Sequence, residues 1–161
     1  MFNFLKKKKE EKALIACTDG VLIELEKVSD PVFSEKVMGD GFAIKSKGSV
    51  FYSPADGVIS MLFPSKHAYA LTLEDGMEIL VHIGINTVTE EGKGFKCNLN
   101  VGDKVKSGDE IVSIDRSYLE DKGYDLTTMI IFTNKETYEY FSCEFGRDVK
   151  GGKDISAYYK A

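Results

Sequence analysis

The sequence predicts an all-β domain, a compact antiparallel β-sandwich or barrel-like fold with only short helices. Three observations carry that prediction. Apolar runs of strand length follow one another from Ala13 to about Ile114, Gly and Asp-Gly turns separate them, and the helical candidates are too short to form a layer. The 161 residues suit a single domain, which at that size buries roughly 70% of the surface of its unfolded chain. With 43% hydrophobic and 29% charged residues, the composition excludes disordered and fibrous classes.

Residues 1–12, "MFNFLKKKKEEK", precede the β pattern and are expected to form a flexible basic and aromatic tail, leaving 13–161 as the folded domain. Met1, Phe2, Phe4 and Leu5 beside four lysines also suit a weak contact of residues 1–9 with an anionic membrane surface. There each basic residue contributes on the order of 1 kcal/mol. The strand candidates then run in order: "ALIACTDGVLIEL", "GFAIKSKGSVFYS", "PADGVISMLF", "AYALTLEDGMEILVHIGI" and "VGDKVKSGDEIVSID". Two of them echo each other, "TDGVLIEL" at 18–25 and "ADGVISML" at 55–62. Repeated turn chemistry explains the echo, because Asp-Gly supplies the positive φ of tight hairpins. A duplicated β unit is the alternative. Brief helices are expected near Tyr118–Lys122 and Lys135–Phe141, the latter capped by Asn134.

A net charge of -5 with scattered lysines excludes nucleic acid as the main partner. Cys17, Cys97 and Cys143 are odd in number and far apart, which suits a reducing compartment and neither a disulfide framework nor a zinc site. No stretch of 18 apolar residues and no signal peptide is present, so a cytoplasmic location is expected.

The chemistry concentrates on the two histidines. Alternation along "EILVHIGI" puts Ile79, Val81, Ile83 and Ile85 on a core face, and Leu80, His82 and Gly84 on the other. A lone histidine in a strand is more often structural than reactive. Here, however, His67 lies upstream in "PSKHA", and a turn at Asp75-Gly76 would fold its strand back beside that of His82. Alternation groups His67 with the inward Tyr69, Leu71 and Leu73, so a packed structural role stands open for it, weakened by the break at Pro64-Ser65. Two adjacent imidazoles suit phosphoryl transfer. One is unprotonated and nucleophilic near pH 7, and the other donates a hydrogen bond to the phosphoryl oxygens.

The stretch "PVFSEKVMGDGFAIKSKGSVFYSPADGVISMLFPSKHAYALTLEDGMEILVHIGINTV" closely resembles the glucose-type enzyme IIA of the bacterial phosphoenolpyruvate-dependent sugar phosphotransferase system. The resemblance runs from about Ala13 to Asn134 and is densest at "SEKVMGDG", "SPADG", "KHA" and "LVHIGINTV". It implies a β-sandwich that accepts a phosphoryl group from HPr and passes it to the cysteine of an enzyme IIB domain of a membrane sugar permease. By family position, His82 would be phosphorylated through Nε2 and His67 would stabilise the phosphoryl group. Ser65 stands where a threonine usually hydrogen-bonds into the pair, and Asp40 matches an acidic residue on the docking rim. Phe42, Phe63, Tyr69 and Leu80 are expected in the apolar patch around the histidines, from family position and alternation together. Asn86 replaces the aspartate of the usual "GIDTV", which should weaken electrostatic steering of a basic partner. Cys17 replaces a common proline and is assigned no role.

No cofactor is required by this reading, although zinc shared by His67 and His82 with a bound partner is compatible with it. Rival readings lack their residues. A biotinyl or lipoyl carrier needs a presented lysine hairpin that is missing, and a zinc peptidase needs three protein ligands. A regulatory protein, binding permeases or enzymes according to the phosphorylation state of His82, is the remaining alternative.

Overall fold

The structure is a computed structural model that describes residues 11–134 and 140–160. The first strands are β1 (Glu11–Ile15), β2 (Gly20–Glu24), β3 (Asp40–Ser46), β4 (Val50–Tyr52), β5 (Gly57–Leu62), β6 (Ala68–Leu73) and β7 (Glu78–Ile83). They are followed by β8 (Phe95–Lys96), β9 (Lys104–Val105), β10 (Glu110–Ile114), β11 (Thr128–Phe132), β12 (Tyr140–Ser142), β13 (Asp148–Val149) and β14 (Ile155–Lys160). Helix is confined to α1 (Pro31–Ser34), α2 (Arg116–Asp121) and short 3-10 turns. The expected all-β class, with short helices only, is what forms.

The strands make an eight-stranded sheet in the order β13-β2-β3-β11-β7-β6-β5-β9 and two three-stranded sheets, β1-β14-β12 and β4-β10-β8. Adjacent strands run antiparallel throughout the described residues. Strand alternation divides the large sheet into two faces. One contributes Leu22, Phe42, Ile44, Tyr69, Leu71, Ile79, Val81 and Ile83 to the main core, together with Leu14 and Tyr159 from the first small sheet and Phe51 and Val112 from the second. The other face carries Ala43, Ala68, Ala70, Leu80, Met129 and Ile131, covered by Leu25, Val28 and Phe33. Burying a large aliphatic or aromatic side chain contributes about 1.5–3 kcal/mol, so this second cluster is a stabilising layer in its own right.

The echo between 18–25 and 55–62 belongs to a duplicated unit. Asp19 and Asp56 do not turn hairpins; each lies just before a strand and accepts a backbone N–H from a distant loop, Gly151 at 2.8 Å and Ser107 at 2.7 Å respectively. Those loops are themselves alike, "FGRDVKGGKDI" at 145–155 and "VGDKVKSGDEI" at 101–111. Val149 pairs with Gly20 as Val105 pairs with Gly57. Leu22 bonds to Arg147 as Ile59 bonds to Asp103, and Gly152 donates to Ala16 as Gly108 donates to Ser53. Matching residues thus make matching bonds, which turn chemistry alone does not require.

Some boundaries differ from expectation. Glu11 and Lys12, placed in the tail by composition, pair with Lys160 and Tyr159 as part of β1, and the remaining tail residues lie outside the described ones. α2 starts two residues before the expected Tyr118, because Asp115 caps it by accepting from Tyr118 N. The expected Lys135–Phe141 helix falls largely outside the described residues, while its last residue, Phe141, is in β12. Asn134, expected as a cap, instead accepts from Glu78 N and donates to Gly76 O, bracing the β6–β7 turn. Among the described residues no helix is long and apolar enough to cross a membrane.

Candidate functional site

β7 sets His82 on the outer face of the large sheet, in a row with Ala68 of β6, Met129 of β11 and Ala43 of β3. Alanine at position 68 leaves space on one side of the ring. Just past the strand, Gly84 turns with φ +78°, where an added Cβ would lie 2.5 Å from Thr87 Cγ2, so only glycine fits. That turn brings the Gly84 carbonyl to 2.9 Å from His82 Nδ1. A carbonyl can only accept, so the proton sits on Nδ1 and the Nε2 lone pair is left free.

His67 comes from the tight connection between β5 and β6, where Phe63 N bonds Ala68 O and Lys66 takes up a left-handed conformation at φ 60°. This irregular turn ends the strand alternation that grouped His67 with Tyr69. The residue is 1% exposed, as the inward reading required, yet its ring meets that of His82 edge-on with centroids 4.9 Å apart. Ser65 Oγ hydrogen-bonds His67 Nδ1. Phe63 stands edge-on to His67 at 5.1 Å, with Phe95 behind at 6.5 Å.

Burial disfavours the charged form of both rings. It holds His67 down at about 4, with the neighbouring His82 as the second cause. His82 is also lowered by burial, opposed by its bond to Gly84 and by the carboxylate of Asp30. Both imidazoles are therefore neutral near pH 7, and His82 Nε2 is a nucleophile that has no proton to lose.

Phe33 is the contact the sequence reading missed. It sits on α1, whose N-terminus is capped by Asp30 and led by Pro31. Its ring lies 4.9 Å from that of His82. The missed signal was the capping pair Asp30-Pro31 ahead of Val32-Phe33, too short a segment for helical periodicity to register.

The apolar patch differs from expectation. Phe42 and Tyr69 are fully buried in the main core, Tyr69 donating to the Tyr52 carbonyl and Phe42 facing Phe141. Both lie on the opposite face from His82, because each alternates with a residue of the outer face, Ala43 and Ala68 respectively. Leu80 shares His82's face but is buried within the second cluster. Phe63 is the one of the four whose ring packs on His67, and the exposed apolar residues on segments flanking the site are Met61, paired with Ala70 of the outer face, together with Val32 and Val88. Asp40 is half-buried, accepts from Gly41 N and pairs with Lys36. It lies three residues along β3 from His82's row, or roughly 10 Å. Asn86 is exposed in a left-handed conformation at φ 59°, which asparagine tolerates better than most residues. Cys17 is buried in the main core, its thiol pushed up to about 12 by burial.

With each Nδ1 engaged, the pair would leave one Nε2 apiece for a metal, which is half of a tetrahedral zinc set. Among the described residues no group of three or more His, Cys, Asp or Glu could hold a metal ion.

Comparison with known proteins bears on this geometry. The family profile described as the phosphoenolpyruvate-dependent sugar phosphotransferase system, EIIA 1, matches residues 12–138. The glucose-specific EIIA component of Bacillus cereus is 38% identical over 152 residues, covering 94% of this chain and 92% of that one. The glucose-specific EIICBA component of Streptococcus pneumoniae is 41% identical over 126 residues, which are 78% of this chain but 17% of that longer protein. The solved structure of glucose permease IIA from Mycoplasma capricolum superposes with a TM-score of 0.84 at 37% identity, covering 92% of this chain and 96% of that one.

Proposed function

The chain belongs to the EIIA 1 family of the phosphoenolpyruvate-dependent sugar phosphotransferase system, and on that premise we propose that His82 is the residue phosphorylated in its phosphotransferase work. The observation that carries this is the Gly84 carbonyl on His82 Nδ1, which leaves Nε2 as the nucleophile. In the proposed step the Nε2 lone pair attacks phosphorus, and the bond to the donor HPr breaks with its electron pair going to HPr. No proton leaves His82, so no general base is needed. His67 serves the phosphoryl oxygens. With Ser65 donating to Nδ1, its proton sits on Nε2 and is free to be shared with them. Transfer onward reverses the pattern: the cysteine thiolate of an enzyme IIB domain attacks phosphorus and the Nε2 pair is restored. The EIICBA relative supports the IIB partner, since by its name it combines the IIA unit with C and B units in one protein.

Phe33, Phe63, Val32 and Val88 then frame an apolar docking patch, with Asp40 and Asn86 on its rim. We assign the protein to the cytoplasm, a reading that its free Cys17, Cys97 and Cys143 support. The sugar is set by the permease and not by this chain. Zinc at His67 and His82 would need two further ligands from a partner, for which a carboxylate is the suitable chemistry. Contact of residues 1–9 with a membrane rests on composition alone. Binding to regulated permeases or enzymes follows from the same patch, because phosphorylation adds about -1.5 to -2 charge where an apolar partner would sit.

Incubation with phosphoenolpyruvate, enzyme I and HPr, followed by intact mass, tests the carrier reading. Wild type should gain one phosphoryl group, His82→Ala none, and His67→Gln one that passes on slowly to IIB. A labelled His82→Ala variant would move the site elsewhere. Equal binding of regulated partners to both forms would remove the switch.

A further inference from the structure

We propose that Glu90 is a positioning residue for partner docking, its carboxylate held by two tyrosine hydroxyls so that the loop from Asn86 to Gly94 forms a fixed rim of the histidine site. The proposal rests on the reading of His82 as the phosphoryl acceptor. The loop leaves β7 directly after His82 and Gly84, and Gly92 returns it to the other histidine's turn, where an added Cβ would lie 3.7 Å from Ser65 Cα. It therefore borders both turns that carry the site.

The loop's backbone is costly to hold. Asn86 and Glu91 are both left-handed, at φ 59° and 54°, on either side of the 3-10 turn Thr87–Glu90. Non-glycine residues persist in that conformation only where surrounding contacts over-determine it. Among the described residues, the other two non-glycine residues with positive φ are Lys36 and Lys66, in the connection after Phe33 and beside His67.

Buried Thr87 ties the start of the loop to Ile83 O, and Glu90 supplies the side-chain contacts that hold its far half. One carboxylate oxygen accepts from Tyr118 Oη of α2 and the other from Tyr124 Oη at 2.6 Å, while Thr89 Oγ1 also meets the Tyr124 hydroxyl at 2.6 Å. The Tyr118 ring packs on the loop's far end, where a Cβ on Gly94 would come within 3.1 Å, and Lys93 and Lys122 stand over that ring at 5.9 and 5.6 Å. Two hydrogen bonds to one carboxylate hold its Glu90 backbone in place from outside the loop. Free of them, the stretch from Val88 to Glu91 would lose its fixed placement, and docking would have to restore it. That restoration cost falls on partner binding rather than on the chemical step.

The test compares wild type, Glu90→Leu, Glu90→Gln and the double variant Tyr118→Phe/Tyr124→Phe, using phosphorylated HPr as donor and amide hydrogen exchange of the free proteins. Glu90→Leu and the double variant should raise the KM for phosphorylated HPr about tenfold with the saturated rate within about twofold. Exchange at 86–94 should quicken about tenfold in the same variants. Glu90→Gln, which keeps one carbonyl acceptor, should fall between. A merely structural role would lower the melting temperature while leaving the KM of the folded fraction unchanged, and that result overturns the proposal. If wild type itself takes no phosphoryl group, the carrier reading fails, and unchanged exchange at 86–94 in the variants would show separately that Glu90 does not fix the loop.

Discussion

His67 and His82 give the protein a pH signature that can be worked out from burial alone. His67 is held at about 4, whereas an unfolded histidine titrates near 6.5. Between those values the unfolded chain binds more protons than the folded one, so stability falls as pH drops from about 6.5 to 4 and levels below it. With solvent screening on the side open to His82, the loss should be about 1–2 kcal/mol. Urea midpoints measured from pH 7 to 4 should show it, and His67→Gln should flatten the curve. Phosphoryl acceptance, by contrast, should not decline at the ordinary histidine pKa, because His82 is lowered too. Phe33 contributes to that lowering by covering the ring. Phe33→Ala should move the His82 titration up toward 6.5, as read by imidazole NMR, and cost about 3–5 kcal/mol of stability. Phe33→Leu, which keeps most of the cover, should do less of both.

The β6–β7 hairpin brings the two histidines together, and its far end is clipped to the rest of the fold. Asp75 in the turn accepts from Tyr159 Oη at 2.7 Å, from Met77 N at 3.0 Å and from Lys12 Nζ at 3.0 Å. Burial alone would raise its carboxyl, but these three donors outweigh it and leave it below the usual range. Its stabilising effect is thus present above the ordinary carboxylate pKa of about 3.9 and lost as pH falls through the lower folded value. Asp75→Asn should cost about 1–2 kcal/mol at neutral pH and shrink the acid dependence, as read by urea unfolding at pH 7 and pH 3. At the hairpin's other end, Gly84→Ala forces a side chain onto Thr87. It should displace the carbonyl that fixes the His82 tautomer and slow phosphoryl acceptance more than it lowers stability, a comparison that parallel rate and melting measurements would make.

Across the whole molecule the duplicated units act as two equivalent fasteners. Asp19 holds the loop before β14, and Asp56 holds the loop before β10, through the same backbone position. Asp19→Ala and Asp56→Ala should each destabilise by about 1 kcal/mol. Having no shared partner, the two losses should add in the double variant within about 0.5 kcal/mol, measured by urea unfolding. A much larger loss from one of them would show that the units are alike in bonding but not in energetic weight.

The sequence by itself determined the class of the fold, the two faces of β7 and the identity of the histidine pair, because a period of two, Asp-Gly turns and a rare residue type are all local signals. Alternation fails at Ile85, expected on the core face, because the Gly84 turn ends the strand and Ile85 packs against the outer cluster. Ser65 was legible only through the resemblance, standing where the family usually has a threonine. What only the tertiary structure decided concerns the other ends of contacts. Tyr69 lies two residues from His67 and Phe42 two from Asp40, yet register puts both on the core face, and a shift of one residue reverses every side chain of a strand. Phe33 reaches His82 from a helix four residues long, and Glu90 meets tyrosines 28 and 34 residues away. Such distances along the chain leave no periodic trace, since the contact is made by the closing of the sheets and not by the spacing of the residues that share it.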